Sequence, residues 1–191
     1  MDKKQEERLS RYLSLILRHH PEAAGITLRR EGAWAEVDAL LRGAKRVGKP
    51  LDLPLLEKIV REDGKQRYSF SPDHRYIRAN QGHSVDVDLG FEPLEPPAVL
   101  YHGTATRFLD SIRAEGITRQ SRQYVHLSRD EQTAFTVGRR HGAPAVLCLD
   151  AAAMHRDGAS FYLSENNVWL CDFVPWRYVT EVRDHSETEG L

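Results

Sequence analysis

The hydrophobic spacing of this chain changes period twice, and nothing else in the sequence limits its fold as strongly. Up to about residue 63 the apolar side chains recur at helical intervals. Leu9, Tyr12, Leu13, Ile16 and Leu17 fall at i, i+3, i+4, i+7 and i+8, one face of a helix that ends near His20, where Pro21 stops it. The pattern returns in "AWAEVDALLRGAKRVG" through Val37, Leu40, Leu41 and Ala44, with Gly48 as its stop. It appears again in "LDLPLLEKIVRED", where Asp52 can cap the N-terminus and Leu55, Leu56, Ile59 and Val60 share a face. The period then shortens. "RYSF" and "RYIRA" flank the turn signal "SPDH" and predict a β-hairpin. Helices followed by a hairpin make a winged-helix-like unit, a shape often used on nucleic acid.

The second change follows "FEPLEPPAV", a stiff acidic stretch with Pro93, Pro96 and Pro97 that reads as a linker. Beyond it, strands are expected in "AVLYHGT", "YVHLS", "PAVLCLD", "SFYLS", "VWLCDF" and "RYVTEV". Helices are expected in "TRFLDSIRAEGI" and "RDEQTAFTVGRRHG". Two helices among about six strands predict an α+β lobe of about 85 residues. The divisions are therefore a lobe over 1–92, a linker over 93–98, a lobe over 99–182 and a polar tail over 183–191.

The chain of 191 residues carries a net charge of −1, so no global field draws it to nucleic acid or membrane. The charge is uneven, however. Residues 1–90 hold 17 Lys and Arg against 14 Asp and Glu, and residues 91–191 hold 10 against 14, which favours an anionic ligand on the first half. The third helix, with Lys58 and Arg61 against Glu57, Glu62 and Asp63, is poorly charged for entering a DNA major groove. The hairpin concentrates Lys65, Arg67, Arg75 and Arg78 instead. Cys148 and Cys171, far apart in apolar runs, read as buried thiols. No apolar run reaches the ~20 residues that cross a bilayer, and the N-terminus lacks a signal-peptide core, so a cytoplasmic protein is expected. His102, His126 and His141 show no close ligand pair, so no metal site is expected. P-loop, G-x-G-x-x-G and G-x-S-x-G patterns are absent.

Two strand ends carry candidate chemistry. In "YHGT" (101–104), Gly103 would let the backbone approach a flat ligand, with its N–H and C=O free to pair with an amide. In "YVHLS", alternation puts Tyr124, His126 and Ser128 on one face and Val125 and Leu127 on the core face.

"LSLILRHHPE", "KQRYSF", "IRANQGHS", "LYHGT", "SRQYVHLS" and "NNVWL", in this order, resemble the NAD-dependent RNA 2′-phosphotransferase family from about residue 8 to 180. The resemblance implies a winged-helix-like RNA lobe joined to an ADP-ribosyltransferase-type lobe that binds NAD as a consumed co-substrate. It implies a two-step reaction on an internal 2′-phosphate of a tRNA-like or short RNA, as in tRNA splicing. The phosphate would attack C1″ of the nicotinamide ribose, and the 2″-hydroxyl would then attack phosphorus, releasing RNA 2′-OH and ADP-ribose 1″,2″-cyclic phosphate. The catalytic set implied is Arg18, His19, Arg67 and Arg122. Arginine forks suit an anionic nucleophile that needs charge neutralisation and aim rather than a base. His102, Gly103, Thr104, His126, Ser128 and Val168 are implied for NAD. Arg78, Asn80, Gln81, His83 and Ser84 are implied around the RNA phosphate. Val168 stands where many protein-modifying relatives carry Glu, which argues against protein ADP-ribosylation. Tyr124 stands where the family often has His. No protein partner is implied. Two other readings stay open: an ADP-ribosyltransferase that caps terminal phosphates of RNA or DNA, and an NAD-sensing winged-helix regulator.

Overall fold

The computed structural model describes residues 3–184. The chain divides after Gly90 into two compact units, each with its own hydrophobic core.

The first unit runs α1 (Lys3–Arg18), β1 (Ala35–Glu36), α2 (Val37–Arg46), α3 (Leu53–Glu62), β2 (Tyr68–Phe70) and β3 (Tyr76–Ala79). The face read from the sequence is the buried one: Leu9, Leu13, Ile16 and Leu17 of α1 pack with Leu40, Ala44, Leu56, Ile59 and Ile77. Asp52 caps α3 as its position predicts, its carboxylate accepting from the Leu55 N–H at 3.0 Å. The hairpin also forms, β2 pairing antiparallel with β3. The stretch from Ala33 is not all helix. Ala35 and Glu36 pair with Ile77 and Tyr76 as β1, the third strand of a β1-β3-β2 sheet, and α2 begins at Val37. Gly43 on α2 is fixed by packing, since a Cβ there would meet the Ala24 carbonyl oxygen at 2.1 Å.

The second unit runs β4 (Val99–Ala105), α4 (Leu109–Glu115), β5 (Ile117–Thr118), β6 (Val125–Leu127), α5 (Glu131–Gly138), β7 (Pro144–Asp150), α6 (Ala151–Arg156), β8 (Tyr162–Leu163), β9 (Trp169–Cys171), β10 (Phe173–Val174) and β11 (Val179–Asp184). Its described residues thus hold three α-helices and eight short strands rather than two and six. The extra helix α6 starts because Asp150, the last residue of β7, caps it by accepting from the Ala153 N–H at 2.8 Å. "VWLCDF" is two strands, because the chain leaves β9 at Asp172 and β10 pairs with β5 instead. Arg183 and Asp184 belong to β11 rather than to a tail, and the remainder of that tail, 185–191, lies outside the described residues.

Two antiparallel three-stranded sheets, β11-β7-β4 and β6-β9-β8, meet at a single bridge between Tyr101 and Ser128. Among the described residues β4 and β6 form no further pair. Val125 and Leu127 face the core while His126 and Ser128 are half-buried, as the alternation predicts. Cys148 and Cys171 are buried free thiols, and burial pushes the Cys171 thiol up to about 12.

Candidate functional site

In the first unit the candidate residues converge on the C-terminal end of α1. The helix stops at Arg18, and the N–H groups of His19 and His20 both reach the Leu15 carbonyl at 2.9 Å before Pro21 turns the chain. Arg18 and His19 are half-buried. Residues 80–84, which follow β3, strap this end to the start of β2. At one end the Asn80 N–H donates to the Arg67 carbonyl at 2.8 Å; at the other the Ser84 N–H donates to the Arg18 carbonyl at 3.0 Å. The His19 Nδ1 and Ser84 Oγ are hydrogen-bonded at 2.9 Å. One short segment therefore holds Arg18, His19 and Arg67 in a fixed relation.

Arg67 is aimed by an acid counted from the sequence only in the charge balance of the third helix. Asp63, just past α3, accepts from the Arg67 backbone N–H at 2.6 Å and from its Nη1 at 2.5 Å. The side chain of Asp63 is 5% exposed and that of Arg67 is 29% exposed, so the pair is sheltered on the acid side and open on the basic side. Arg67 uses one guanidinium nitrogen for this pair, and among the described residues Nε and Nη2 are bonded to nothing else. An Arg held by one corner can still offer a fork to a phosphate.

Arg78 is likewise positioned, its guanidinium 4.5 Å above the Trp34 ring with Nη1 at 3.4 Å from the Gly32 carbonyl. Asn80 is buried, and its amide nitrogen donates to the Gln66 carbonyl at 2.8 Å. His83 is also buried, at 1% exposure, so it too supports the site from within. Burial first, and then the charges of Arg18, His19 and Arg78, hold its pKa at about 4, which keeps it neutral. Gln81 is half-buried and Ser84 is exposed.

In the second unit His102, Gly103, His126 and Ser128 lie about the bridge that joins the two sheets. The N–H and C=O of Tyr101 pair with Ser128, at 2.9 and 2.7 Å. Antiparallel ladders alternate, so the N–H and C=O of Gly103, two residues on, point to the same side, toward β6. The missing Cβ of Gly103 has a packing reason. It would lie 1.8 Å from the Ala134 carbonyl oxygen of α5, so helix packing by itself requires glycine here. Gly138 of α5 answers it, because a Cβ there would lie 2.5 Å from the Thr104 carbonyl oxygen. Thr104 itself is buried.

His102 donates through Nδ1 to the His126 carbonyl at 3.0 Å, since a carbonyl only accepts. Burial holds its pKa below the usual imidazole range, with Arg122 and His141 adding repulsion and the His126 carbonyl opposing them. The neutral ring therefore presents a bare Nε2. The Arg122 Nη1 donates to His126 Nδ1, which places the His126 ring proton on Nε2. Desolvation first, then Arg140, lowers the pKa of the Arg122 guanidinium. The turn Arg139–His141 supplies both extra charges, and its role was not legible in the sequence. Val168 immediately precedes β9 and follows a turn organised by the buried Ser164, whose hydroxyl oxygen accepts from the Val168 N–H at 3.0 Å. Asn167 takes φ 60° in the same turn. Among the described residues no three of His, Cys, Asp and Glu lie close enough to hold a metal ion. No helix among them is long and apolar enough to cross a membrane.

A buried carboxylate aiming an arginine, beside an Arg-His helix end, is an arrangement able to receive an oxyanion. The family model for RNA 2′-phosphotransferase, Tpt1 / KptA family, matches residues 4–173. Proteins described as "Probable RNA 2′-phosphotransferase" are similar over nearly their whole length. That of Agrobacterium fabrum is 52% identical over 177 residues, covering 93% of this chain and 95% of its own. That of Pseudomonas paraeruginosa is 52% identical over 182 residues, covering 95% and 100%. That of Flavobacterium johnsoniae is 47% identical over 171 residues, covering 90% and 93%. The chain belongs to the RNA 2′-phosphotransferase family.

Proposed function

We propose that this chain removes an internal 2′-phosphate from RNA and consumes NAD in two steps. The observation that carries the reading is the strap of residues 80–84, which ties Arg67 at one end to Arg18 and His19 at the other. Phosphate repels an electron-rich partner, so its charge must be neutralised and its oxygens aimed before it can attack carbon. Fixed guanidinium groups do both. In the first step a 2′-phosphate oxygen attacks C1″ of the nicotinamide ribose and nicotinamide leaves. In the second the ribose 2″-hydroxyl attacks phosphorus, the RNA 2′-oxygen leaves, and ADP-ribose 1″,2″-cyclic phosphate forms. Arg18 and Arg67 hold the phosphate in both steps, and His19 bonds it or moves the hydroxyl proton. Arg122, from the second unit, is given its part in this set by the resemblance.

The second unit suits the dinucleotide. The Gly103 N–H and C=O, turned to the β6 side, match the donor and acceptor of a carboxamide. The bare Nε2 of His102 can accept from a ribose hydroxyl. Val168 brings no carboxylate to the 2″-hydroxyl, which leaves that hydroxyl available for the second step. On this reading the first unit is the winged-helix-like RNA lobe, the second is the ADP-ribosyltransferase-type lobe, and the protein works in the cytoplasm.

The test is incubation with NAD and a short RNA bearing one internal 2′-phosphate, beside a 5′-phosphorylated oligonucleotide. RNA with a free 2′-hydroxyl plus the cyclic phosphate supports the proposal. Arg18→Ala should then accumulate ADP-ribosylated RNA. A product confined to capped 5′ ends, or no nicotinamide release from either RNA, would overturn it.

A further inference from the structure

We propose that Ser84 is a positioning residue for His19, accepting a hydrogen bond from its Nδ1 so that Nε2 alone carries the proton in the second chemical step. This rests on the phosphotransferase reading above. Three observations fix the geometry. The Ser84 Oγ lies 2.9 Å from His19 Nδ1, and among the described residues that oxygen makes no other hydrogen bond. The Ser84 N–H is itself anchored on the Arg18 carbonyl at 3.0 Å. The residue before it, His83, is buried at 1% exposure and pins the strap from beneath. The hydroxyl therefore has one protein partner, and its own position is set by the helix end that it serves.

The choice of a hydroxyl has a chemical consequence. A hydroxyl oxygen can accept from Nδ1–H whether the ring is neutral or an imidazolium, and Ser84 is exposed, so water can take its own hydrogen. A carboxylate in the same place would favour the imidazolium and hold the proton on the ring. With a hydroxyl, the proton is bound and released without rotation of the ring or capture of its charge. The charges acting on the neighbouring His83 are those of Arg18 on α1, His19 and Arg78 on β3, while His20 is paired with Glu22 at 2.9 Å.

The step balances as follows. The ribose 2″-oxygen forms its bond to phosphorus as its proton passes to His19 Nε2. The bond from phosphorus to the RNA 2′-oxygen breaks, and Nε2 returns the proton to that oxygen. Ser84 touches neither reacting atom and acts only through His19.

Two measurements on the full chain test this. Long-range 1H–15N NMR of His19 without substrate should show the Nδ1–H tautomer in the neutral ring. Ser84→Ala should move it to a mixture, and Ser84→Thr should restore it. In single turnover Ser84→Ala should slow the second step about 10- to 100-fold, with ADP-ribosylated RNA accumulating and the apparent KM for RNA unchanged. Ser84→Thr should recover the rate, and Ser84→Asp should shift the rising limb of the second-step pH profile upward. An Nε2–H tautomer in the wild type, or a Ser84→Ala variant with unchanged tautomer and unchanged second step, overturns the proposal. If the wild type releases no nicotinamide with 2′-phosphorylated RNA, the functional reading falls instead, and the NMR result still decides the tautomer.

Discussion

Replacing Asp63 by Asn should reduce turnover without weakening RNA binding, because Asp63 aims Arg67 rather than touching substrate. The carboxylate accepts from the Arg67 N–H at 2.6 Å and from its Nη1 at 2.5 Å, with the Lys65 N–H a weaker third donor at 3.3 Å. Hydrogen bonds to charged groups contribute about 1.5–3 kcal/mol each. The Arg67 side chain, 29% exposed, is partly screened by solvent, which favours the lower end of that range. Asn keeps one acceptor and loses the charge, so the expected loss of stability is about 2 kcal/mol. The guanidinium is then freed from its tether. A free cation still attracts phosphate, so apparent KM should stay level or fall, whereas an Arg that must find its geometry in the transition state lowers kcat. If the same ~2 kcal/mol of preorganisation is lost there, the rate falls about 30-fold. Urea unfolding gives the first quantity and single-turnover product release the second. Asp63→Asn with wild-type stability and kcat, or with a raised KM and an intact kcat, would refute the argument.

Three further outcomes are expected. Gly103→Ala places a Cβ 1.8 Å from the Ala134 carbonyl oxygen, and backbone cannot give way as a side chain can, so α5 must move; the loss is about 1–3 kcal/mol, read as a Tm lower by several degrees. His83 is neutral when folded, with its pKa held at about 4 against the ordinary 6.5. An unfolded chain binds that proton first as pH falls, so stability is full above about pH 6.5 and is lost progressively toward about pH 4, by about 3 kcal/mol. His83→Leu should flatten that part of the urea midpoint against pH curve, and an unchanged slope would sink the assignment. Ser164→Ala removes the buried hydroxyl that accepts from the Val168 N–H at 3.0 Å; a loss of about 1–3 kcal/mol is expected, visible as faster amide exchange at Val168.

What could be read from the sequence, and what could not, follows the reach of the interactions. The α1 face, the Asp52 cap and the hairpin about "SPDH" depend on neighbours a few residues away, and they appear where periodicity and turn chemistry predict them. The helix α6 escaped because its signal is a cap on the last residue of a strand, and "AAAMHR" is too short to display a period. β5 and β10 escaped because two-residue strands are defined by their partner, not by their own pattern. Within the site, Arg18, His19 and Arg67 could be named from motifs, but the devices that aim them are tertiary. Trp34 supports Arg78 from 44 positions away, and His19 meets Ser84 across 65. Asp63 is the instructive case: counted as a surface charge it argued against α3 entering a DNA major groove, yet burial turned it into the anchor of the arginine four residues on. The same carboxylate has opposite meanings for function depending on whether water surrounds it. Charge counting is therefore sound for the field of a whole lobe and unsound for a single acid beside a turn. Gln66 at φ 45° makes that turn, and its backbone folds Arg67 back over the end of α3.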